Sequence, residues 1–99
     1  MNVQIQTVHF DADSKLLDYV NKKITKLNTF HDNIIDVEVY LKLDNVAHNI
    51  KDKVAEIKVH VPKHSYFVKQ CTKTFEESFD KALDSMANQL KRQKEKLVA

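Results

Sequence analysis

There is no glycine anywhere in the 99 residues. Phosphate cradles of the P-loop and dinucleotide-binding kinds need glycine where the backbone turns with positive φ and approaches the ligand closely, so both are excluded. Cysteine is nearly absent too: Cys71 stands alone, cannot form an internal disulfide, and agrees with a reducing cytosol. No apolar run approaches the length needed to cross a bilayer. The N-terminus MNVQIQTVHF alternates instead of joining a basic region to a solid apolar block, so it does not read as a signal peptide. No repeat and no low-complexity linker interrupts the chain. The net charge of +2 is too small to imply nucleic acid by bulk electrostatics, so the distribution of charge matters more than its total.

What is present is a globular composition, 42% hydrophobic and 30% charged, at a length that suits one domain with one core. Val3 and Ile5 alternate with Gln4 and Gln6 as a short strand, and Val8 and Phe10 fall out of phase, at a bulge or at the exit from the strand. Asp13 is the best N-cap for a first helix over Leu16 to Phe30, whose apolar set Leu16, Leu17, Val20, Ile24 and Leu27 keeps helical spacing. Asn33 is available to end it in the left-handed conformation that glycine usually fills. Ile35, Val37, Val39, Leu41 and Leu43 then alternate with polar residues as a strand with one buried face. A polar turn, 44–52, leads to a third strand with Ala55, Ile57, Val59 and Val61 inward, stopped by Pro62. A fourth strand spans Tyr66 to Thr72; Tyr66 and Val68 inward is the preferred register, with Phe67 and Cys71 as the alternative.

The last helix begins at Thr74, where Thr74 and Glu77 have the spacing of a capping box, and its stripe is Phe75, Phe79, Ala82, Leu83, Met86, Leu90 and Leu97. The order β-α-β-β-β-α, with one apolar sheet face and two helical stripes to cover, predicts an α+β fold: a two-layer sandwich, a four-stranded sheet with both helices on one face.

The candidate binding residues are rows of cations. On the first helix Lys15, Tyr19, Lys22 and Lys26 share a flank, with Lys23 nearer the buried stripe; on the last, Lys81, Ser85, Asn88, Arg92 and Lys96 form a comparable row. The last helix is also sorted end to end, with Glu76, Glu77, Asp80 and Asp84 in its first half and Lys91, Arg92, Lys94 and Lys96 crowded into its last turns. Such sorting matches the helix dipole and by itself describes a solvated face; it also suits a phosphate backbone, with Ser and Asn donating to phosphate or ribose oxygens and Tyr19 available for stacking. Nothing points to catalysis. His60 and His64 are separated by Pro62 in a strand-turn context, which argues against a shared metal; Cys71 has no base beside it in sequence; Asp36 and Glu38 read as a strand's solvated face. The expectation is a non-enzyme with no metal, no cofactor and no small-molecule substrate.

With that element order in place, the chain resembles the ribosome hibernation-promoting factor and ribosome-associated inhibitor family, also called sigma-54 modulation proteins. The likeness is carried by Leu16 to Phe30, LLDYVNKKITKLNTF, with Lys23 and Lys26 at the family's two lysines; by Val61-Pro62 closing the third strand; and by the run from Asn88 to Lys96 with its basic tail. The chain differs from the family pattern at Ser85 and Asn88, commonly Lys and Arg there, at Thr74, which replaces an acidic cap, and at Lys69 on the fourth strand. The resemblance implies a double-stranded-RNA-binding-like fold that sits in the mRNA and tRNA channel of the small ribosomal subunit and blocks translation during stress or stationary phase. It further implies a short-form member, a single ribosome-binding domain over 1–99 without the C-terminal domain that pairs ribosomes.

The expected function is therefore ribosome hibernation, translation inhibition by steric occupation of the channel, in a cytoplasmic protein that binds small-subunit rRNA, touches no membrane and is monomeric off the ribosome. Expected phosphate contacts are Lys22, Lys23, Lys26, Lys91, Arg92 and Lys94, with Tyr19, Lys81, Ser85, Asn88 and Lys96 as additional candidates. Two rivals remain: a general binder of double-stranded RNA, and a protein-interaction module, a sigma-factor modulator, using Tyr40 or Phe67 on the open sheet face.

Overall fold

The computed structural model describes residues 2–31, 33–44 and 53–98, with side chains described as far as Arg92. The elements are β1 (Asn2–Val8), α1 (Ser14–Ile24) continued by a 3-10 turn (Thr25–Thr29), β2 (Asp36–Leu43), β3 (Lys53–Val61), β4 (His64–Thr72) and α2 (Phe75–Val98). The sheet order is β1-β2-β3-β4, with β1 parallel to β2 and the other pairs antiparallel. Side chains alternate across the pleat, so Val37, Val39 and Leu41 of β2 and Ala55, Ile57 and Val59 of β3 all face one side, and all are fully buried. Leu16, Val20 and Ile24 from α1 and Phe79, Ala82, Leu83, Met86 and Leu90 from α2 fill the same core, which places both helices on that one sheet face as expected.

The capping details are partly as expected. The Asp13 carboxylate accepts the Leu16 N–H at 2.8 Å, which fixes the start of α1. The helix narrows into its 3-10 turn and closes at Phe30, still right-handed (φ −101°), whose N–H reaches the Leu27 carbonyl. The capping box at α2 is only half made. Thr74 Oγ1 accepts the Glu77 N–H at 3.2 Å, but the Thr74 N–H goes to Thr72 Oγ1 at 3.3 Å, and Glu77 turns instead to Lys81, one turn along, at 3.6 Å.

The β2 boundary also departs from the alternation. Ile34 is buried and Ile35 is 54% exposed, because the Ile35 peptide is recruited by both neighbours: its N–H donates to the His60 carbonyl at 2.8 Å and its carbonyl accepts from Asn2. The regular strand starts only at Asp36. On β4 the preferred register holds: Val68 is buried, Tyr66 half-buried, and Phe67 and Cys71 are exposed on the open face. Most of the polar turn, 45–52, lies outside the described residues, as does the side chain of Leu97.

With no glycine to use, the positive-φ positions among the described residues fall on His9 and Lys63, both at φ 69°. Val61 pairs with His64, so Pro62-Lys63 is a two-residue hairpin turn in which proline sets the first φ and Lys63 takes the left-handed second position. Lys63→Gly is expected to stabilise the fold by roughly 0.5–1 kcal/mol, the relief of a Cβ clash less the entropy of a freer unfolded chain, read from the urea midpoint.

The junction between sheet and α2 is held by Ser78, which is fully buried. Its hydroxyl donates to the Lys53 carbonyl, accepts the Thr72 N–H at 2.9 Å and lies 2.8 Å from Thr72 Oγ1. Ser78→Ala removes the hydroxyl that accepts the buried Thr72 amide, an expected cost of about 1–3 kcal/mol in denaturant unfolding.

A basic groove between the two helices

Three contacts fix how α1 lies on α2. Tyr19 meets Phe79 edge to face with ring centroids 6.4 Å apart and donates its hydroxyl to the Asp80 carboxylate at 2.6 Å; Lys23, one turn on, reaches the same carboxylate at 2.9 Å. At the far end Lys91 Nζ stands 4.7 Å from the centre of the Phe30 ring. Moving from Tyr19 to Phe30 on one element thus matches moving from Asp80 to Lys91 on the other, so the helices run side by side in the same direction. Their basic C-terminal ends lie at the same end of the molecule.

Between them is a groove of about 490 Å³. Phe30, Leu83 and Ala87 form its apolar surface, Asp80 and Asp84 line one end and Lys26 and Lys91 the other, with Asn88 between Asp84 and Lys91 along α2. The charge order follows from the sorting along α2: the acidic first half of that helix meets the middle of α1, and its basic half meets the end of α1.

The expected cations therefore divide. Lys26, Lys91 and Arg92 are exposed at the shared end, and Lys22 is exposed on α1 nearby in sequence. Lys26, Lys22 and Arg92 make no ion pair among the described residues. Lys23 is committed to Asp80, with its ammonium also 4.6 Å from the Tyr19 ring centre. Hydrogen bonds to the Tyr19 hydroxyl and then to Asp80 favour its charged form and push its pKa up from 10.5 to about 12. Tyr19 is held above its ordinary value, chiefly by its hydrogen bond to Asp80. Because the folded value of Lys23 exceeds the unfolded one, its contribution to stability is whole below about pH 10.5 and disappears as pH rises through 12. Alkaline unfolding of Asp80→Asn is expected to show a weaker form of that dependence, because the Tyr19 contribution remains, measured by circular dichroism from pH 9 to 12.

Of the additional candidates, Asn88 lines the groove, Ser85 is half-buried, and Lys81 is occupied by Glu77. Lys94 and Lys96 belong to α2, but their side chains lie outside the described residues. The rows of cations on the two helices do not include Phe30, Asp80 or Asp84, which the fold adds to this site. The only available signal was an aromatic among lysines at the end of α1, and the Asp80 pairing joins residues 57 apart in sequence, which no local pattern reports. Among the described residues no cluster of His, Cys, Asp and Glu could hold a metal, and no helix is long and apolar enough to cross a membrane.

Comparison with known proteins agrees with this architecture. The chain is similar in structure to the N-terminal domain of Protein Y from Thermus thermophilus, at 27% identity and a TM-score of 0.78 over 93% of this chain and 98% of that one. It shares its fold with a ribosomal subunit interface protein from Coxiella burnetii, at 18% identity and a TM-score of 0.79 over 95% and 98% of the two chains. No curated protein sequence matches it. The profile described as Sigma 54 modulation protein / S30EA ribosomal protein matches residues 3–98, nearly the whole length, and the chain belongs to that family.

Proposed function

We propose that this protein is a ribosome hibernation factor that binds small-subunit rRNA through the shared basic end of α1 and α2. By filling the channel for mRNA and tRNA it prevents both from entering, and no chemical step is needed. The observation that supports this reading is the parallel alignment of the helices, which brings Lys26 and Lys91 to one groove, with Lys22 and Arg92 exposed close to them in sequence. Lysine and arginine there neutralise phosphates, and Asn88 can donate to phosphate or ribose oxygens. Lys94 and Lys96 extend the basic run along the same helix. In this reading the protein acts in the cytoplasm under stress or in stationary phase, as a monomer off the ribosome and as one domain.

The test is sedimentation of ribosomes through sucrose with the protein tracked at low and moderate salt. Release of counterions from about six phosphates makes affinity fall roughly a hundred- to a thousandfold or more across that range. Co-sedimentation indifferent to salt overturns the proposal.

One observation favours a second reading. Phe67 is 53% exposed on the open sheet face, opposite the helices, where it could dock a protein partner. Complexes formed that way would survive both salt and RNase. A general double-stranded-RNA binder is disfavoured, since exposed Glu76 and Glu77 occupy the start of α2, where such domains usually carry lysines.

A further inference from the structure

We propose that the groove between α1 and α2 is a nucleotide site that takes one unpaired guanosine of the bound RNA, its base between Phe30 and Leu83, its donor edge at Asp84 and Asn88, and its phosphate on Lys26 and Lys91. The inference rests on the RNA-binding reading above and adds which form of RNA is recognised. At about 490 Å³ the groove falls within the size range of small-ligand sites, and its lining combines the groups a nucleotide requires: apolar Phe30, Leu83 and Ala87, hydrogen-bonding Asp84 and Asn88, and the cations Lys26 and Lys91.

Phe30 is half-buried, so part of its ring is presented to the groove. The Lys91 ammonium 4.7 Å from the ring centre marks an accessible π-face. A phosphate drawing Lys91 toward itself uncovers that face for a base, and stacking on an aromatic ring is available to every base. Leu83 and Ala87, one turn apart on α2, supply the opposing apolar contact. Duplex RNA cannot enter in this way, because its bases are already stacked and their edges paired.

The far end sets the base preference. An aspartate carboxylate such as that of Asp84 accepts hydrogen bonds and donates none. It makes no ion pair among the described residues, whereas Asp80 beside it is consumed by Tyr19 and Lys23. Guanine offers two adjacent donors, N1–H and the N2 amino group, to such a carboxylate. Uracil offers one donor flanked by carbonyl oxygens that the carboxylate repels. Asn88, one turn along, can donate to the guanine O6 or accept from its edge.

The experiment measures fluorescence anisotropy of the full chain with labelled hexauridylate, with the same hexamer carrying one central guanosine, and with a blunt RNA duplex. The guanosine hexamer is expected to bind at least fivefold more tightly than hexauridylate. Phe30→Leu, which keeps apolar packing, is expected to weaken both hexamers by roughly five- to a hundredfold without altering the salt slope. Asp84→Asn, at an exposed position that folding does not need, is expected to abolish the guanosine preference. Unchanged binding by Phe30→Leu, or a preference that survives Asp84→Asn, overturns the nucleotide site. If Lys26→Ala and Lys91→Ala still weaken binding in that case, the polyanion surface stands without it; if they too bind like the parent, both readings fall. Free guanosine monophosphate in an NMR titration separates the sources: affinity equal to that of the hexamer makes a free nucleotide the ligand and overturns the assignment to RNA.

Discussion

Replacing Lys26, Lys91 and Arg92 together by alanine is expected to weaken ribosome association by about a thousandfold or more at moderate salt. Charge-assisted contacts are worth about 1.5 kcal/mol or more each, and three are removed. The dependence of affinity on salt should flatten in step, with the logarithmic slope falling by about 3, since three fewer counterions are released. Folding should be untouched, because all three side chains are exposed and none pairs with a carboxylate among the described residues. A matched control carries the same loss of charge elsewhere: Lys58, Lys63 and Lys69 lie on the open face and hairpin of the sheet, away from the helices. If that control loses as much affinity as the groove variant, net charge rather than the helical surface governs binding, and the proposed interface is wrong.

Phe79→Ala is expected to be the most damaging single change to stability. Phe79 is completely buried, meets Tyr19 edge to face and sits one residue before the carboxylate that fastens α1 to α2. Truncating such a ring costs about 3–5 kcal/mol through lost burial and the cavity left behind. For a domain of this size that lowers Tm by roughly 15–30 °C, enough to leave much of the protein unfolded at 37 °C. Calorimetry measures the shift directly. Ribosome binding by this variant should recover on cooling, whereas the loss from the cationic variant should not. That difference separates a failing scaffold from a failing surface.

These two outcomes draw on parts of the molecule that were unequally legible in the sequence. The core was readable because its alternation is strict: Val37, Val39 and Leu41, and Ala55, Ile57 and Val59, can face only one side of a pleat, and the stripe from Phe79 to Leu90 only one side of a helix. Alternation misplaced Ile35, whose exposure depends on backbone bonds to His60 and Asn2 from two other segments. The cation rows were visible as spacing on each helix. Their union was not, because spacing reports rotation about an axis and says nothing of which way a neighbouring axis points. Asp80 shows the same limit. In sequence it is one acid in a dipole-matched first half; in the fold it binds Tyr19 and Lys23 and takes one expected cation out of the free set.

The sheet order has a consequence for how the chain reaches this state. Every strand pairs with a neighbour in sequence, so no strand has to be inserted between two that are already joined. The Pro62-Lys63 hairpin can close first, β2 can add to β3 across the polar turn, and α2 can dock on β3 and β4 with only two residues between β4 and the helix. The parallel pairing of β1 with β2 must wait until the whole of α1 has been carried across the sheet, which makes it the most expensive loop to close. Slow steps and aggregation-prone intermediates should therefore trace to an unpaired β2 edge before β1 arrives.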